Sequence, residues 1–173
     1  MIHGLAGVTA ELDRVRRRPA AESAPPVLAE FTVEVAQGSA AGYPARVREV
    51  LLAALKLART AEFGDEDLPT DGFPDWLIAA TDNTAYRRHS GGGPWSPQNW
   101  IHRFDPDDDG RGWEFWDVVP VGPSQVRVWV DSWGESFFGS LELLWLLYTA
   151  GGTHVEGPAV HAASAWALDA YGR

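Results

Sequence analysis

Hydrophobic and polar residues alternate with a period of two in three stretches of the chain, 27–36, 112–119 and 125–130. This alternation predicts strands that have one buried face and one less buried face. The segment 120–124, between the last two stretches, contains two prolines, a glycine and a serine. Such residues favour turns, so residues 112–130 are predicted to form a β-hairpin.

The second strand of this hairpin separates two kinds of side chain. One face carries only valines, which we assign to the core, and these are Val126, Val128 and Val130. Trp129 therefore points to the opposite face, between Arg127 and Asp131. A large aromatic ring with charged neighbours then lies on the less buried side of the sheet, unless a helix covers it.

Strict alternation along the first strand of the hairpin places Phe115 and Asp117 on one face. Glu114, Trp116 and Val118 then share the other face. Two shorter apolar stretches, 76–81 and 100–104, are also predicted as strands. Residues 62–75 are acidic and interrupted by glycine and proline, which predicts a surface loop.

Apolar residues recur with the period of a helix in four other stretches, which are 9–18, 44–59, 141–150 and 158–171. The first would be capped by Thr9 and end in arginines. The third is apolar nearly all round, so it should be buried. The order of elements predicts an α+β fold, with a single, mostly antiparallel sheet that contains the 112–130 hairpin and helices largely on one face. Residues 1–26 would form an N-terminal helix and an arm, and residues 27–173 the domain.

Composition adds limits on partners and location. The net charge is −10, and it is unevenly distributed. Residues 1–60 carry eight basic and six acidic groups, whereas residues 61–173 carry six basic and eighteen acidic groups. Such a field repels nucleic acid and anionic membranes and attracts basic partners. The chain has no cysteine, no stretch that could span a bilayer and no signal-like N-terminus, which predicts a soluble cytoplasmic protein. The excess of arginine over lysine is typical of a GC-rich bacterial genome.

One acidic turn resembles the start of a calcium loop. Asp105, Asp107 and Asp109 alternate and are followed by a glycine, a spacing that lets hard oxygen ligands converge on one cation. Glu114 would be the fourth ligand, although a calcium loop expects its glutamate at position 116, which is tryptophan here. The alternative is a simple turn, because aspartate and glycine are preferred turn residues without any metal.

Catalytic motifs are absent from the sequence. No serine lies in the G-x-S-x-G arrangement of a nucleophile elbow. An unrecognised enzyme site would lie around His89, His102, Asp131 and Glu135, which offer histidine and carboxylate groups for acid–base chemistry. We therefore keep an enzyme only as an alternative.

Six of the nine tryptophans fall between positions 95 and 133, which indicates either an aromatic core or a recognition surface. The candidate binding residues are Trp95, Trp100, Trp116, Arg127, Trp129, Asp131, Trp133 and Glu135. They predict a non-catalytic interaction domain that holds a basic protein partner on an acidic, tryptophan-bearing sheet face. The alternative from a different class is a module that binds a small molecule or carbohydrate in a tryptophan-lined cleft.

In general character, a small acidic α+β domain without a catalytic motif resembles the immunity proteins that neutralise bacterial toxins. This resemblance implies that the basic partner is a toxin or an enzyme. It involves no specific motif, so no family residue is transferred to this chain.

Overall fold

The computed structural model describes residues 4–80, 96–108 and 110–172. Within these ranges four strands form one antiparallel sheet, and they are β1 (Val27–Glu34), β2 (Glu114–Pro120), β3 (Gln125–Asp131) and β4 (His154–Ala162). Their order in the sheet is β2-β3-β1-β4. The predicted hairpin is therefore confirmed as β2 and β3, and the predicted α+β fold with a mostly antiparallel sheet is confirmed with it.

Six α-helices accompany the sheet in the described part of the chain. They are α1 (Leu5–Arg16), α2 (Tyr43–Thr60), α3 (Asp75–Ile78), α4 (Pro97–His102), α5 (Leu141–Thr149) and α6 (Ala163–Tyr171), with a short 3-10 turn at Ala21–Ser23. None of them has the length and apolar character needed to cross a bilayer.

Most helices pack on the face of the sheet that carries the three valines of β3. The main core lies here and includes Val8, Leu12, Phe31, Val50, Leu51, Trp100, Trp113, Val126, Val128, Val130, Trp145 and Leu146. The valine face is fully buried in this core, as the alternation predicted. The phenolic hydroxyl of Tyr43 on α2 donates a 2.6 Å hydrogen bond to the carbonyl of Leu147 on α5, which joins two of these helices.

The opposite face of the sheet is covered by α6. Between them lies the second cluster, which consists of Leu28, Trp116, Val119, Trp129, Ala163 and Trp166. Trp129 is 0% exposed. The face that the sequence left open is therefore closed by a helix of the same chain.

Strand β2 contains a bulge that strict alternation did not predict. The pairing with β3 shifts register between Phe115 and Asp117. Phe115 and Val118 both lie in the main core, whereas Trp116 lies in the second cluster. The prediction that Phe115 and Asp117 share a face is wrong, because one extra residue in a bulge reverses the alternation after it.

Three other element predictions are also wrong. The stretch predicted as a strand at 100–104 lies mostly in α4, because the hydroxyl of Ser96 caps the helix by accepting from Asn99 N–H, and Pro97 occupies its first turn. The described part of 76–81 lies in and just after α3. The helix predicted over 158–171 begins only at Ala163, since the preceding residues pair with β1 as an edge strand, where proline is tolerated.

The N-terminal helix begins earlier than predicted and packs firmly. It runs over Leu5–Arg16, and the hydroxyl of Thr9 donates to the carbonyl of Leu5 within the helix instead of capping it. Val8, Leu12 and Val15 of α1 are buried in the main core. This helix is therefore an integral layer on α2 and β2.

Candidate functional site

The predicted binding residues separate into buried and exposed groups. Trp100 and Trp129 are both 0% exposed, and Trp116 is 5% exposed, so none of the three belongs to an open surface. Trp95 lies outside the described residues. The tryptophan-bearing sheet face is consequently an internal interface between the sheet and α6.

Two buried tryptophans of the main core, Trp100 and Trp113, donate hydrogen bonds to one buried residue, Glu142. Glu142, in the first turn of α5, is 1% exposed. Its Oε1 accepts from the indole N–H of Trp113 at 2.6 Å, and its backbone carbonyl accepts from the indole N–H of Trp100 at 2.8 Å. Arg103 lies 3.4 Å from the second carboxylate oxygen. These rings thus satisfy polar groups in the core.

Arg127 belongs to the contact between β3 and α6. Its guanidinium donates to both carboxylate oxygens of Asp169 at 2.8 Å, and it lies 3.7 Å from Glu30. The hydrogen bond to Asp169 raises the pKa of Arg127, while burial opposes it. The partly buried side chain of Arg127 therefore fastens the covering helix to the sheet.

The exposed predicted residues lie on the segment after β3, residues 132–140, which we name the aromatic loop. Trp133 is 46% exposed and has a φ of +54°, an unusual backbone conformation for a residue other than glycine. Its N–H donates to the side chain of Asp131 at 2.9 Å, which supports this turn. Phe137 is 94% exposed, whereas the neighbouring Phe138 packs edge-on against Phe31 in the core. Glu135 is exposed on the same loop.

Two carboxylates face each other at the start of this loop. Glu114 of β2 and Asp131 of β3 are cross-strand partners, and Arg14 of α1 donates to Glu114 at 3.0 Å. Burial raises the pKa of Asp131, and the charge of Glu114 adds to this, while the N–H of Trp133 and the charge of Arg14 oppose it. The folded protein therefore disfavours the ionised form of the Asp131 side chain.

The pKa of Asp131 leads to a prediction about stability. The folded protein holds this proton to a higher pH than the unfolded chain, whose pKa is near 3.8, so ionisation at neutral pH destabilises the fold. Asp131→Asn removes the charge and keeps an oxygen for the N–H of Trp133, and we expect it to raise the Tm at neutral pH. Thermal melts across a pH series should show the gain shrinking on acidification and vanishing below the unfolded pKa. A gain that does not depend on pH would contradict this origin.

A second exposed feature is the acidic segment, which we define as residues 61–75. Its six carboxylate side chains are all exposed, and they are Glu62, Asp65, Glu66, Asp67, Asp71 and Asp75. No arginine or lysine occurs anywhere between positions 61 and 80. The acidic residues, glycines and prolines of this stretch predicted a surface loop, which agrees with the structure. The predicted binding residues, however, lie on the tryptophan-bearing sheet face and in the aromatic loop.

Helix α4 holds the acidic segment in place. The side-chain amide of Gln98 accepts from the N–H of Leu68 at 2.9 Å and donates to its carbonyl at 2.8 Å. One ring nitrogen of His102 lies 3.2 Å from the carbonyl of Gly64, and the other lies 2.8 Å from the carbonyl of Gln98. The carboxylates are therefore displayed on a backbone fixed at two points, and His102 contacts backbone carbonyls through both ring nitrogens. His89, the other histidine of the hypothetical enzyme site, lies outside the described residues.

The acidic turn at 105–110 follows α4. Asp105 accepts from the N–H of Asp107, and Asp108 accepts from the N–H of Gly110, both at 2.9 Å, so these carboxylates stabilise the turn itself. Of the other predicted calcium ligands, Asp109 lies outside the described residues. Glu114, on β2, forms an ion pair with Arg14 of α1. Across the described ranges, no group of three or more acidic or histidine side chains is arranged to hold a metal ion.

A groove of about 380 Å³ lies beside the acidic segment, between α2 and residues 69–73. Its apolar lining consists of Leu52, Ala53, Leu57, Pro69 and Phe73, and its polar lining of Glu49, Lys56, Thr60 and Asp71. These residues were not predicted as a site. Leu52 and Leu57 lie beside the main apolar stripe of α2 and are only partly buried, and apolar residues off the stripe of a helix are the sequence signal of such a groove.

Comparison with known proteins adds no relative to this description. No protein-family model, no curated protein and no solved structure matches the chain.

Proposed function

We propose that this protein is a non-catalytic interaction domain of the bacterial cytoplasm that binds a basic protein partner through its acidic segment. The observation that carries the proposal is a run of six exposed carboxylates with no basic residue among them, fixed to α4 by Gln98. A field of one sign speeds the encounter with an oppositely charged partner. A fixed backbone lowers the entropy lost when that partner is bound.

The aromatic loop lies close to the acidic turn and supports the same function. The carbonyl of Gly139 accepts from the N–H of Gly112 at 3.1 Å, and a Cβ on Gly139 would lie 3.2 Å from the carbonyl of Gly110. The exposed ring of Phe137 therefore projects from a loop packed against the residues that follow Asp107 and Asp108. Exposed aromatic side chains near charged groups are typical of interface anchors.

The proposal is tested by neutralising the acidic segment. We expect the combined variant Glu62→Gln, Asp65→Asn, Glu66→Gln and Asp67→Asn to reduce the association rate of a lysine-rich helical peptide by about tenfold at low ionic strength. The rate for the unchanged protein should fall as salt is added, because screening weakens attraction between exposed charges. Surface plasmon resonance at several ionic strengths measures both effects.

A matched control removes four exposed carboxylates from other parts of the molecule. The variant Asp13→Asn, Glu22→Gln, Glu34→Gln and Glu156→Gln has the same net charge as the first one. It should bind the peptide nearly as fast as the unchanged protein. Equal losses in the two variants would mean that only the total charge matters, and the proposed surface would then be wrong.

More specifically, we propose that the protein is an immunity-type inhibitor whose partner is a basic toxin or enzyme. It is supported by the general resemblance to small acidic α+β immunity proteins and by the acidic segment. A gene for a basic secreted toxin adjoining this one, and protection of cells by co-expression, would favour it over other basic partners.

A second candidate function is carbohydrate or small-molecule binding, and the exposed ring of Trp133 favours it. An indole at 46% exposure on a loop offers a flat face for stacking on a sugar ring. Quenching of tryptophan fluorescence by oligosaccharides, lost in the variant Trp133→Ala and accompanied by no binding of the basic peptide, would favour this candidate.

A further inference from the structure

The groove beside the acidic segment has a preformed apolar floor. Phe73 is 6% exposed and packs edge-on against Trp100, with ring centroids 6.5 Å apart. The N–H of Phe73 donates to the carbonyl of Thr70 at 3.0 Å, which closes a turn under the groove. A Cβ on Gly72 would lie 3.8 Å from the Cβ of Ala53, an ordinary van der Waals contact, so this loop residue lies beside α2. The loop wall of the groove is therefore held by its own turn and by the packing of Phe73 on the core.

Most charged side chains at the groove are acidic, as they are in the acidic segment. Glu49 and Asp71 line it, and the neighbouring residues of the same loop carry the exposed carboxylates of the segment. Lys56 is the one cationic side chain in the lining, and it is also the only lysine in the sequence. The groove thus combines an apolar floor with a mainly acidic surround.

We propose that this groove receives apolar side chains of the same basic partner, presented by an amphipathic helix whose lysines and arginines face the acidic segment. The inference rests on the proposed function and adds to it the chemistry of the partner's contact segment. Apolar side chains on one helix face enter a groove, while the basic face supplies electrostatic attraction. Charge governs mainly the rate of association, and burial in the groove governs mainly the rate of dissociation.

Two helical peptides with equal numbers of lysines separate these contributions. The leucine peptide carries leucine along one face, and the alanine peptide carries alanine at the same positions. We expect similar association rates for both and a dissociation rate about tenfold or more slower for the leucine peptide, because each buried leucine removes apolar area from water. Equal dissociation rates would overturn the inference.

Variants of the groove locate the effect on the protein. Leu52→Ala and Leu57→Ala should each speed dissociation of the leucine peptide several-fold and leave its association rate unchanged. Leu168→Ala is the matched control, since this leucine is 67% exposed on α6, on the other side of the sheet. Melting curves show whether each variant is folded. An effect of the control as large as that of the groove variants would overturn the inference.

Lys56 gives a second readout that needs no variant. Because it is the only lysine, its ε-amine and the N-terminal amine are the amines that an acylating reagent can label. We expect an arginine form of the leucine peptide, with arginine at each lysine position and a blocked N-terminus so that it carries no amine, to slow acetylation of Lys56, measured by mass spectrometry, with the N-terminal amine of the protein as internal reference. Unchanged acetylation of Lys56 at saturating peptide would contradict occupation of the groove.

Failure of this inference can be distinguished from failure of the proposed function. Salt-dependent association that requires the acidic segment, combined with no preference for the leucine peptide, would reject the groove and leave the proposed function standing. Absence of salt-dependent association for both peptides would reject the proposed function and the groove with it.

Discussion

Replacing Glu11 by leucine is expected to lower the free energy of unfolding by about 3–5 kcal/mol, because Arg111 would keep its charge in the core after its carboxylate is lost. Glu11 and Arg111 are 0% and 1% exposed, and the guanidinium donates to both carboxylate oxygens at 2.7 and 2.9 Å. Oε1 of Glu11 also accepts from the N–H of Phe115 at 2.7 Å. The substitution therefore affects both a buried ion pair and the outer edge of β2.

The double variant distinguishes the ion pair from simple packing. Arg111→Met alone should also be strongly destabilising, while Glu11→Leu with Arg111→Met should recover much of the loss, since a well-packed apolar pair can replace a buried ion pair. Recovery should be incomplete because the N–H of Phe115 still lacks its acceptor. Denaturant unfolding of the four proteins measures the coupling. Single variants that lose less than about 1 kcal/mol would show that the pair matters little.

The predictable parts of the fold are the strands and helices in which apolar residues recur with a single spacing from one end to the other. The valine face of β3 and the apolar stripe of α2 both follow from local alternation. The bulge in β2 was not predictable, since the residues around Asp117 continue the apolar pattern and only the pairing with β3 reveals the extra residue. The strand β4 depends on hydrogen bonds to β1, which lies more than a hundred residues earlier.

The exposure of Trp129 could not be decided from the sequence for a similar reason. Alternation correctly placed it opposite the valine face, but its burial depends on where α6 docks. That docking rests on contacts such as Arg127 with Asp169, which join residues 42 positions apart. Charge and glycine content were enough to predict a surface loop at 62–75, whereas the clamp from Gln98 and the groove arise from packing between distant segments.

Across the described residues, ion pairs within the fold occupy six arginines of this acidic chain. Several arginines lie on carboxylates inside or partly inside the protein, and these pairs are Arg14–Glu114, Arg18–Asp117, Arg48–Asp117, Arg103–Glu142, Arg111–Glu11 and Arg127–Asp169. Arginine suits such sites because its guanidinium is planar and stays charged. No arginine or lysine lies between positions 61 and 80, so within that stretch the exposed carboxylates of the acidic segment have no basic neighbour in sequence.

Asp117 is the position where the bulge, the second cluster and α2 meet, and Asp117→Asn is expected to lower the free energy of unfolding by about 3–4 kcal/mol. The carboxylate is 0% exposed and accepts four hydrogen bonds. Oδ1 accepts from Arg48 at 2.6 Å and from the N–H of Val118 at 2.8 Å. Oδ2 accepts from Arg18 and from the indole of Trp166, each at 2.8 Å. An asparagine amide would turn an NH₂ group toward one pair of these donors.

The loss of charge also acts through Arg48. Burial lowers the pKa of this guanidinium, and the charge of Asp117 opposes the effect. Without the carboxylate, a partly buried arginine loses the interaction that offsets its desolvation, and Arg18 remains close to it as a like charge. The destabilisation should therefore exceed that of an ordinary surface salt bridge, which is about 0–1 kcal/mol.

The effect of Asp117→Asn should be concentrated at α6, because Trp166 is the residue through which that helix bonds to Asp117. Hydrogen exchange should accelerate more in Ala163–Tyr171 than in β3, which stays paired on both sides within the sheet. Asp169→Asn is the matched control, since it weakens another polar link of α6, to Arg127, and leaves the bulge intact. Uniform acceleration across the sheet, or a loss no larger than that of the control, would mean that Asp117 does not join α6 to the bulge. A selective opening would show that the covering of Trp129 depends on a carboxylate at the one irregular position of β2.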